Sequence, residues 1–176
     1  MKFFMLETNE KNRNPLHINK NRAVDIRLLT KEHLSDLPLR TVLEMDFQEE
    51  GFFPDLICNP FLMLSITMLE TIMIYKSDVE YKVMKLWDRN KEIHATYYFP
   101  LLEELDVMSD KTRFNSTGNR IVNLVLCREK IAKNVIFRVK GLDKNCIIGK
   151  MDFVESILRR KVRGLKITEI DTDKNL

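Results

Sequence analysis

The residues that most often carry catalysis or bind metals are few in this chain and far apart. His17, His33 and His94 stand alone, and none lies at a metal-ligand spacing such as H-x-x-x-H. A lone histidine without such a spacing fits a surface or packing role. We therefore assign the histidines no chemistry and expect no bound metal.

The cysteines also lack a pattern that would indicate chemistry. Cys58, Cys127 and Cys146 are odd in number and contain no C-x-x-C pair, so neither a disulfide framework nor a zinc site is indicated. Cys127 ends one apolar stretch and Cys146 begins another, positions at which buried thiols are inert. We expect reduced, mostly buried cysteines, no cofactor and no enzymatic activity.

Carboxylates are the remaining candidates, and they occur in two groups. Paired carboxylates can bind a metal or act as acid and base, but no glycine-bearing calcium loop accompanies them and adjacent side chains diverge. The Ser116–Asn119 stretch likewise lacks a phosphate-loop pattern and is interpreted as a turn. A solvated acidic surface that contacts a protein partner is therefore the preferred interpretation. The two groups are Glu44, Asp46, Glu49 and Glu50, and Glu103, Glu104, Asp106 and Asp110.

Length and composition indicate a globular domain inside the cell. A chain of 176 residues with 44% hydrophobic and 31% charged residues can bury a sizeable core. Glu7 cuts off the apolar start of the chain below the ~7–15 residues of a signal peptide. The stretch Phe61–Tyr75 is shorter than the ~20 residues that cross a bilayer. We expect residues 1–176 to form a single cytoplasmic domain without a membrane contact.

Charge is divided unevenly along the chain. Residues 1–110 contain 13 Lys and Arg against 19 Asp and Glu, a net charge of −6, whereas residues 111–163 contain 14 against 4, a net charge of +10. Such a distribution steers an approaching partner but does not define a fold. The basic part includes Arg159, Arg160, Lys161 and Arg163, with Lys130, Lys133, Arg138 and Lys140 upstream.

Apolar spacing predicts an α+β domain with mostly antiparallel sheet. Phe3–Glu7 is predicted to be a short strand, alternating residues predict a strand at Thr41–Phe47, and the runs Val79–Asp88 and Ile93–Phe99 predict a hairpin. The short element Val24–Thr30 is ambiguous, with a helix as one option. Pro60 suits a first helical turn, and we expect a buried central helix over about residues 60–75. The stripe predicted for its buried face is Leu62, Ile66, Leu69 and Met73.

The last third has the most regular pattern. After a polar connection at 110–119, an amphipathic helix is predicted over about residues 151–162, with Val154, Ile157 and Leu158 on one face. Basic residues crowd its last turn, and Gly164 suits the left-handed C′ position. The predicted strands are Ile121–Leu126, Val135–Val139, Cys146–Ile148 and Leu165–Ile170.

This third also carries a succession of motifs that can be compared with a known family. Upstream of it, the Asn59-Pro60 pair and the stretch Asp106–Phe114 belong to the same pattern. The motifs are Arg120-Ile121-Val122-Asn123-Leu124-Val125-Leu126, Lys130-Ile131, Asn134-Val135-Ile136-Phe137-Arg138-Val139, Ile147-Ile148 and, after a helix, Arg163-Gly164-Leu165-Lys166-Ile167. Over about residues 55–170 the chain resembles immunity family eleven of bacterial polymorphic toxin systems, although Lys150 stands where that pattern has Ser or Thr.

The resemblance implies a protein that binds and neutralises a cognate protein toxin encoded nearby, without chemistry of its own. One of the acidic groups would meet the basic rim of the toxin's active site. The alternatives are an unassigned protein-binding domain and an accessory protein that binds nucleic acid through the basic C-terminal face. The second is disfavoured because no helix-turn-helix or RNA-recognition signature accompanies the basic residues. An enzyme with a dispersed active site is held in reserve, and the sequence leaves homo-oligomer formation open.

Overall fold

Two six-stranded sheets and the helices that pack between them account for most of the described chain. The computed structural model describes residues 1–9, 17–18, 24–47, 52–117, 121–131, 133–142 and 145–173. The helices are α1 (Ile66–Tyr75), α2 (Arg128–Ile131) and α3 (Met151–Arg159), with single 3-10 turns at Ile26–Leu28 and Leu34–Asp36. The strands are β1 (Phe3–Thr8), β2 (His17–Ile18), β3 (Arg40–Asp46), β4 (Leu56–Ile57), β5 (Met63–Leu64), β6 (Tyr81–Asp88), β7 (Ile93–Pro100), β8 (Glu104–Leu105), β9 (Arg113–Phe114), β10 (Ile121–Asn123), β11 (Val125–Cys127), β12 (Ile136–Val139), β13 (Ile147–Lys150) and β14 (Leu165–Asp173).

The first sheet brings the start and the end of the chain together. Its order is β11-β14-β1-β13-β12-β8, and its pairs are antiparallel except β11–β14 and β12–β8. Leu6 in the middle of the sheet lies beside Ile147 on one side and Ile167 on the other. These apolar side chains share one face, which gives the helices a surface on which to pack. The predicted strands at both ends of the chain are confirmed.

The second sheet contains the predicted hairpin. Its order is β2-β3-β6-β7-β5-β4, with a parallel β3–β6 pair and the antiparallel β6–β7 hairpin at its centre. The alternation predicted for β3 is also confirmed, because Leu43 and Met45 are buried whereas Val42, Glu44 and Asp46 are exposed. One face of this sheet is therefore covered by apolar residues, and part of the other faces solvent.

A single apolar core joins both sheets and both longer helices. It includes Leu6 from the first sheet, Leu64 from the second, Met68 from α1 and Phe153 from α3, all fully buried. Tyr75 ties the two helices together, since its hydroxyl donates to the Asp152 carbonyl at 2.9 Å and its ring meets the Phe153 ring edge-on at 5.8 Å. Because this core is shared, the two sheets form one α+β domain, as predicted.

The strand predicted over 121–126 and the polar connection before it are both corrected. Residues Ile121–Asn123 form β10, which pairs with β9 in a separate two-stranded ribbon, whereas Val125–Cys127 joins the first sheet. The buried hydroxyl of Thr112 lies beside this break, where it accepts from the Val125 N–H at 3.1 Å and donates to the Val125 carbonyl at 2.9 Å. The predicted connection therefore contains a strand, β9.

The central helix begins later than predicted. It spans Ile66–Tyr75 rather than about 60–75, because the Ser65 hydroxyl caps its first turn by accepting from the Met68 N–H at 3.3 Å. Pro60 therefore precedes β5 and does not occupy the first turn of the helix.

The buried stripe predicted for this helix is confirmed at Leu69 and wrong at Ile66 and Met73. Leu69 and Ile72 are buried, but Ile66 and Met73 are 46% and 37% exposed. Apolar residues occur on every side of α1, so their spacing alone does not select a buried face. The position of the second sheet and α3 selects it instead.

The C-terminal helix ends three residues earlier than the predicted 151–162. Leu158, which was predicted on its inner face, is 53% exposed and that prediction is wrong. Leu158 follows the buried Ile157 in the last turn of the helix and points away from the core, whereas Val162 and Leu165 beyond the helix still pack against it. The buried face consists of Phe153, Val154 and Ile157.

Lys161, not Gly164, is the left-handed residue that closes α3. Its φ is +57°, its N–H donates to the Leu158 carbonyl at 3.0 Å, and the Val162 N–H donates to the Ile157 carbonyl at 3.3 Å. These two bonds form a Schellman motif with Lys161 at C′. The predicted role of Gly164 is therefore wrong, although Gly164 is also left-handed, with φ of +77°.

Gly164 instead permits the two sheets to approach closely. A Cβ built on it would lie 2.5 Å from Pro54 Cβ. Beside this contact the Asp55 N–H donates to the Arg163 carbonyl at 2.9 Å, and the Arg163 N–H donates to Asp55 Oδ2 at 2.6 Å. Residues 54–55 and 163–164 thus form a tight junction between the sheets.

Replacing Gly164 by alanine should destabilise the protein more than the same change at Gly141. Both glycines have φ of +77°, so alanine at either position incurs the left-handed backbone cost of about 1–2 kcal/mol. At Gly141 the new Cβ would meet the flexible end of Met108 at 3.3 Å, whereas at Gly164 it would overlap Pro54. We expect Gly164→Ala to lower the free energy of unfolding, measured with urea, by about 1–3 kcal/mol more than Gly141→Ala does. Equal losses for the two variants would contradict the close approach.

Candidate functional site

One face of the second sheet is exposed across β3, β6 and the start of β7, and we call it the open face. Side chains that alternate along each strand share this face. Helix α1 contacts β5 and β7 and leaves the β3–β6 side exposed. The register places Glu44, Trp87 and His94 in one row across the face, and Val42, Lys85 and Thr96 in the next.

Trp87 is the most notable residue on the open face. It is the single tryptophan of the chain and is 41% exposed. Val42 in the neighbouring row is 51% exposed, and Tyr81 at the start of the same strand is 37% exposed. Tryptophan and tyrosine contribute disproportionately to protein–protein affinity when a partner covers them. The open face therefore has the apolar anchors that a protein interface needs.

Charge on the open face is arranged by position along the strands. Glu44 and Asp46 lie at the end of β3 beside Trp87, whereas Arg40 lies at its start and Lys85 in the middle. All four side chains belong to exposed residues. An approaching partner therefore meets an acidic end and a basic end, and the aromatic side chain lies at the acidic end.

Asp88 holds the acidic end of the open face in place. Its carboxylate accepts from the Phe47 N–H at 2.8 Å, and from the Asn90 and Lys91 N–H groups at 3.0 and 3.1 Å. The Lys91 ammonium group in turn donates to the Phe47 carbonyl. The bond from Phe47 and those from the turn lower the pKa of Asp88 below its ordinary value. One buried carboxylate thus ties the end of β3 to the β6–β7 turn next to Trp87.

The structure does not gather the predicted acidic residues on one surface. Glu44 and Asp46 are exposed on the second sheet, as predicted, but Glu49 and Glu50 lie outside the described residues. The other group is divided between the two edges of the first sheet, because its first two residues lie at β8 and its last two flank Met108, which bridges to β11. All four residues are exposed. This second group is Glu103, Glu104, Asp106 and Asp110.

Ion pairs engage two residues of the second acidic group. Glu103 Oε2 lies 3.5 Å from Lys76 Nζ, and Glu104 Oε1 lies 2.9 Å from Arg138 Nη1. The two neighbouring side chains pair with different elements, as divergent adjacent residues should. They also line a cleft between the sheets, which no sequence pattern indicated because its walls come from distant segments.

The basic residues of the C-terminal part are likewise separated. Arg159 to Arg163 lie just before β14, whereas the Arg128 N–H near Lys130 donates to Asp173 at the other end of that strand. The eight residue-to-residue steps of β14 span about 26 Å, which separates the two groups of basic residues. Arg138 is partly buried by its contacts with Glu104 and Asn145. These residues therefore do not form one continuous basic face.

The histidines and cysteines considered as candidates in the sequence lie at separate places in the structure. His33 pairs with Asp36 at 3.2 Å, His94 lies on the open face, and the side chain of His17 lies outside the described part. Cys58 and Cys146 are buried, as predicted, and Cys127 is partly exposed. Within the described ranges no three His, Cys, Asp or Glu side chains are grouped to hold a metal ion.

No family model and no curated protein matches this chain. Among the helices that the structure describes, none has the length and apolar character required to cross a membrane.

Replacing Asp88 by asparagine should lower the stability of the protein at neutral pH. It should also make that stability less dependent on pH in the acid range. The folded-state pKa of Asp88 lies below the ordinary value of 3.8, so ionised Asp88 stabilises the fold above about pH 4 and the contribution is lost as pH falls further. Urea midpoints at several pH values should show a gap between wild type and Asp88→Asn that narrows on acidification. The exposed Asp78 provides a matched Asp78→Asn control, and a gap of constant size would contradict the prediction.

Proposed function

We propose that this chain is a non-enzymatic immunity-type protein that binds and neutralises a cognate protein toxin in the cytoplasm. The observation that carries the proposal is the exposed row of Glu44, Trp87 and His94 on the open face. The resemblance of residues 55–170 to immunity family eleven suggests the class of partner, a toxin encoded nearby. Binding alone, without chemistry by this chain, is sufficient for such a role.

Trp87 is the proposed anchor of the interface. A tryptophan side chain buries a large area with few rotatable bonds, so covering it contributes strongly to affinity. Val42 and Tyr81 extend the apolar contact on the same face. The surrounding charged residues form a rim that excludes water from the anchor.

Glu44 and Asp46 are the proposed electrostatic guide. Toxins that act on nucleic acid have basic surfaces around the active site, because those surfaces bind phosphates. The acidic end of β3 would attract such a surface and place it over Trp87. Charge complementarity of this kind mainly accelerates association.

Expression of the neighbouring gene product in a sensitive bacterial host, alone and together with this chain, tests the role. Growth arrest by the neighbour, relieved by this chain, is the expected result. Direct binding of the two purified proteins should accompany the rescue. A toxic neighbour that this chain neither binds nor neutralises would overturn the proposal.

The open face is tested with variants of this chain against that toxin. Trp87→Ala should weaken binding at least thirtyfold, since loss of a central anchor costs roughly 2 kcal/mol or more. Glu44→Lys with Asp46→Lys should slow association about tenfold at low salt, with a smaller effect at high salt. Surface plasmon resonance at two salt concentrations measures both effects.

Matched controls separate the open face from the rest of the surface. Phe114→Ala removes another aromatic side chain, 49% exposed, from the separate β9–β10 ribbon. Asp171→Lys reverses an exposed charge on the first sheet. Both controls should bind as wild type does. If they weaken binding as much as the open-face variants do, the toxin contacts a different surface.

A further inference from the structure

A cleft of about 660 Å³ opens between the two sheets. Its walls are the segment of residues 29–32 between the two 3-10 turns, the turn between α1 and β6, the chain that runs from β7 into β8, and Arg138 of β12. It continues into a smaller hollow of about 300 Å³, and Lys31 and Glu80 line both. This size falls within the ~300–1,000 Å³ of typical ligand sites.

The floor of the cleft is apolar and well supported. It follows Phe99, Pro100, Leu101 and Leu102, where the core of the second sheet adjoins the central core. The Leu101 N–H donates to the Glu80 carbonyl at 2.8 Å, which fixes the floor against the wall. A ligand that rests there meets a preformed surface.

Carboxylates outnumber cations around the cleft. Its lining contains five carboxylates against three cations. Two of the cations are neutralised, because Lys76 pairs with Glu103 and Arg138 pairs with Glu104. The carboxylates that remain are exposed and have no ion-pair partner among the described residues, and they face a single remaining cation, Lys31. These carboxylates are Glu32, Asp78 and Glu80.

Two polar atoms of the cleft residues also lack hydrogen-bond partners within the described part of the chain. They are Thr30 Oγ1 and Arg138 Nε, and both are buried. Buried polar atoms are rarely left without a partner.

We propose that the cleft is a second binding site, which takes an extended peptide segment of a partner protein with a basic side chain next to an apolar one. The basic side chain interacts with Glu80 and its neighbouring carboxylates, and the apolar side chain packs on Leu101. A peptide backbone supplies both donors and acceptors. Phosphate-bearing ligands are excluded by the same carboxylates. Binding of such a peptide in the cleft requires neither the open face nor the toxin.

A labelled hexapeptide of alternating leucine and arginine is the probe, titrated with the full chain and followed by fluorescence anisotropy. Saturable binding is expected. Glu80→Lys with Glu32→Lys should weaken it at least tenfold, because like charges then face each other. Lys31→Gln should strengthen binding, since it removes the opposing cation, and a gain of affinity cannot arise from misfolding.

Three controls test whether binding depends on the cleft, on its apolar floor and on charge. Glu70→Lys changes an exposed carboxylate on α1 that does not line the cleft, and it should leave binding unchanged. A peptide with serine in place of leucine tests the apolar floor, and one with glutamate in place of arginine tests the charge. No saturable binding, equal binding of the serine peptide, or equal weakening by Glu70→Lys would overturn the proposal. A failed toxin rescue would leave this test unaffected, because the probe is not the toxin.

Discussion

Reciprocal hydrogen bonds between Asp55 and Arg163 hold the two sheets in a single arrangement. Asp55 immediately precedes β4, and Arg163 lies two residues before β14, so these bonds fix the starts of both strands relative to each other. Gly164 against Pro54 makes this approach close enough for the apolar faces of both sheets to share α1 and α3. Because the helices occupy the space beside this junction, α1 covers β5 and the end of β7. The β3–β6 side of the second sheet is left exposed.

Folding brings the acidic and basic parts of the sequence into contact. Arg138, from the basic part, pairs with Glu104 from the acidic part, whereas Lys150 pairs with Asp152 within the basic part. A net charge computed along the chain therefore does not map onto a surface, since folding brings distant segments into contact. The acidic end of β3 and the carboxylates around the cleft are distinct surfaces, and each can attract a basic group independently of the other.

The elements that could be predicted are those with a long apolar period. Strands β3, β6 and β7 and the first half of β14 alternate over several residues, β1 begins with an apolar run, and the turn between β6 and β7 matches a hairpin. The two-residue strands β2, β4, β5, β8 and β9 are too short to show any period. They exist because neighbouring strands offer them hydrogen bonds. Periodicity also could not predict the buried face of α1, because apolar residues occur on every side of that helix.

For the candidate site, the sequence by itself determined which side chains share a face of each strand. Alternation separates Glu44 and Asp46 from the buried Leu43 and Met45 whatever the sheet packs against. Only the tertiary structure decided that β3 pairs in parallel with β6, so that Glu44 lies beside Trp87, and that this row stays uncovered. The same holds for the cleft, whose walls come from four separate segments. Strand pairing and helix position depend on how the whole chain fills one core, and no local pattern contains that information.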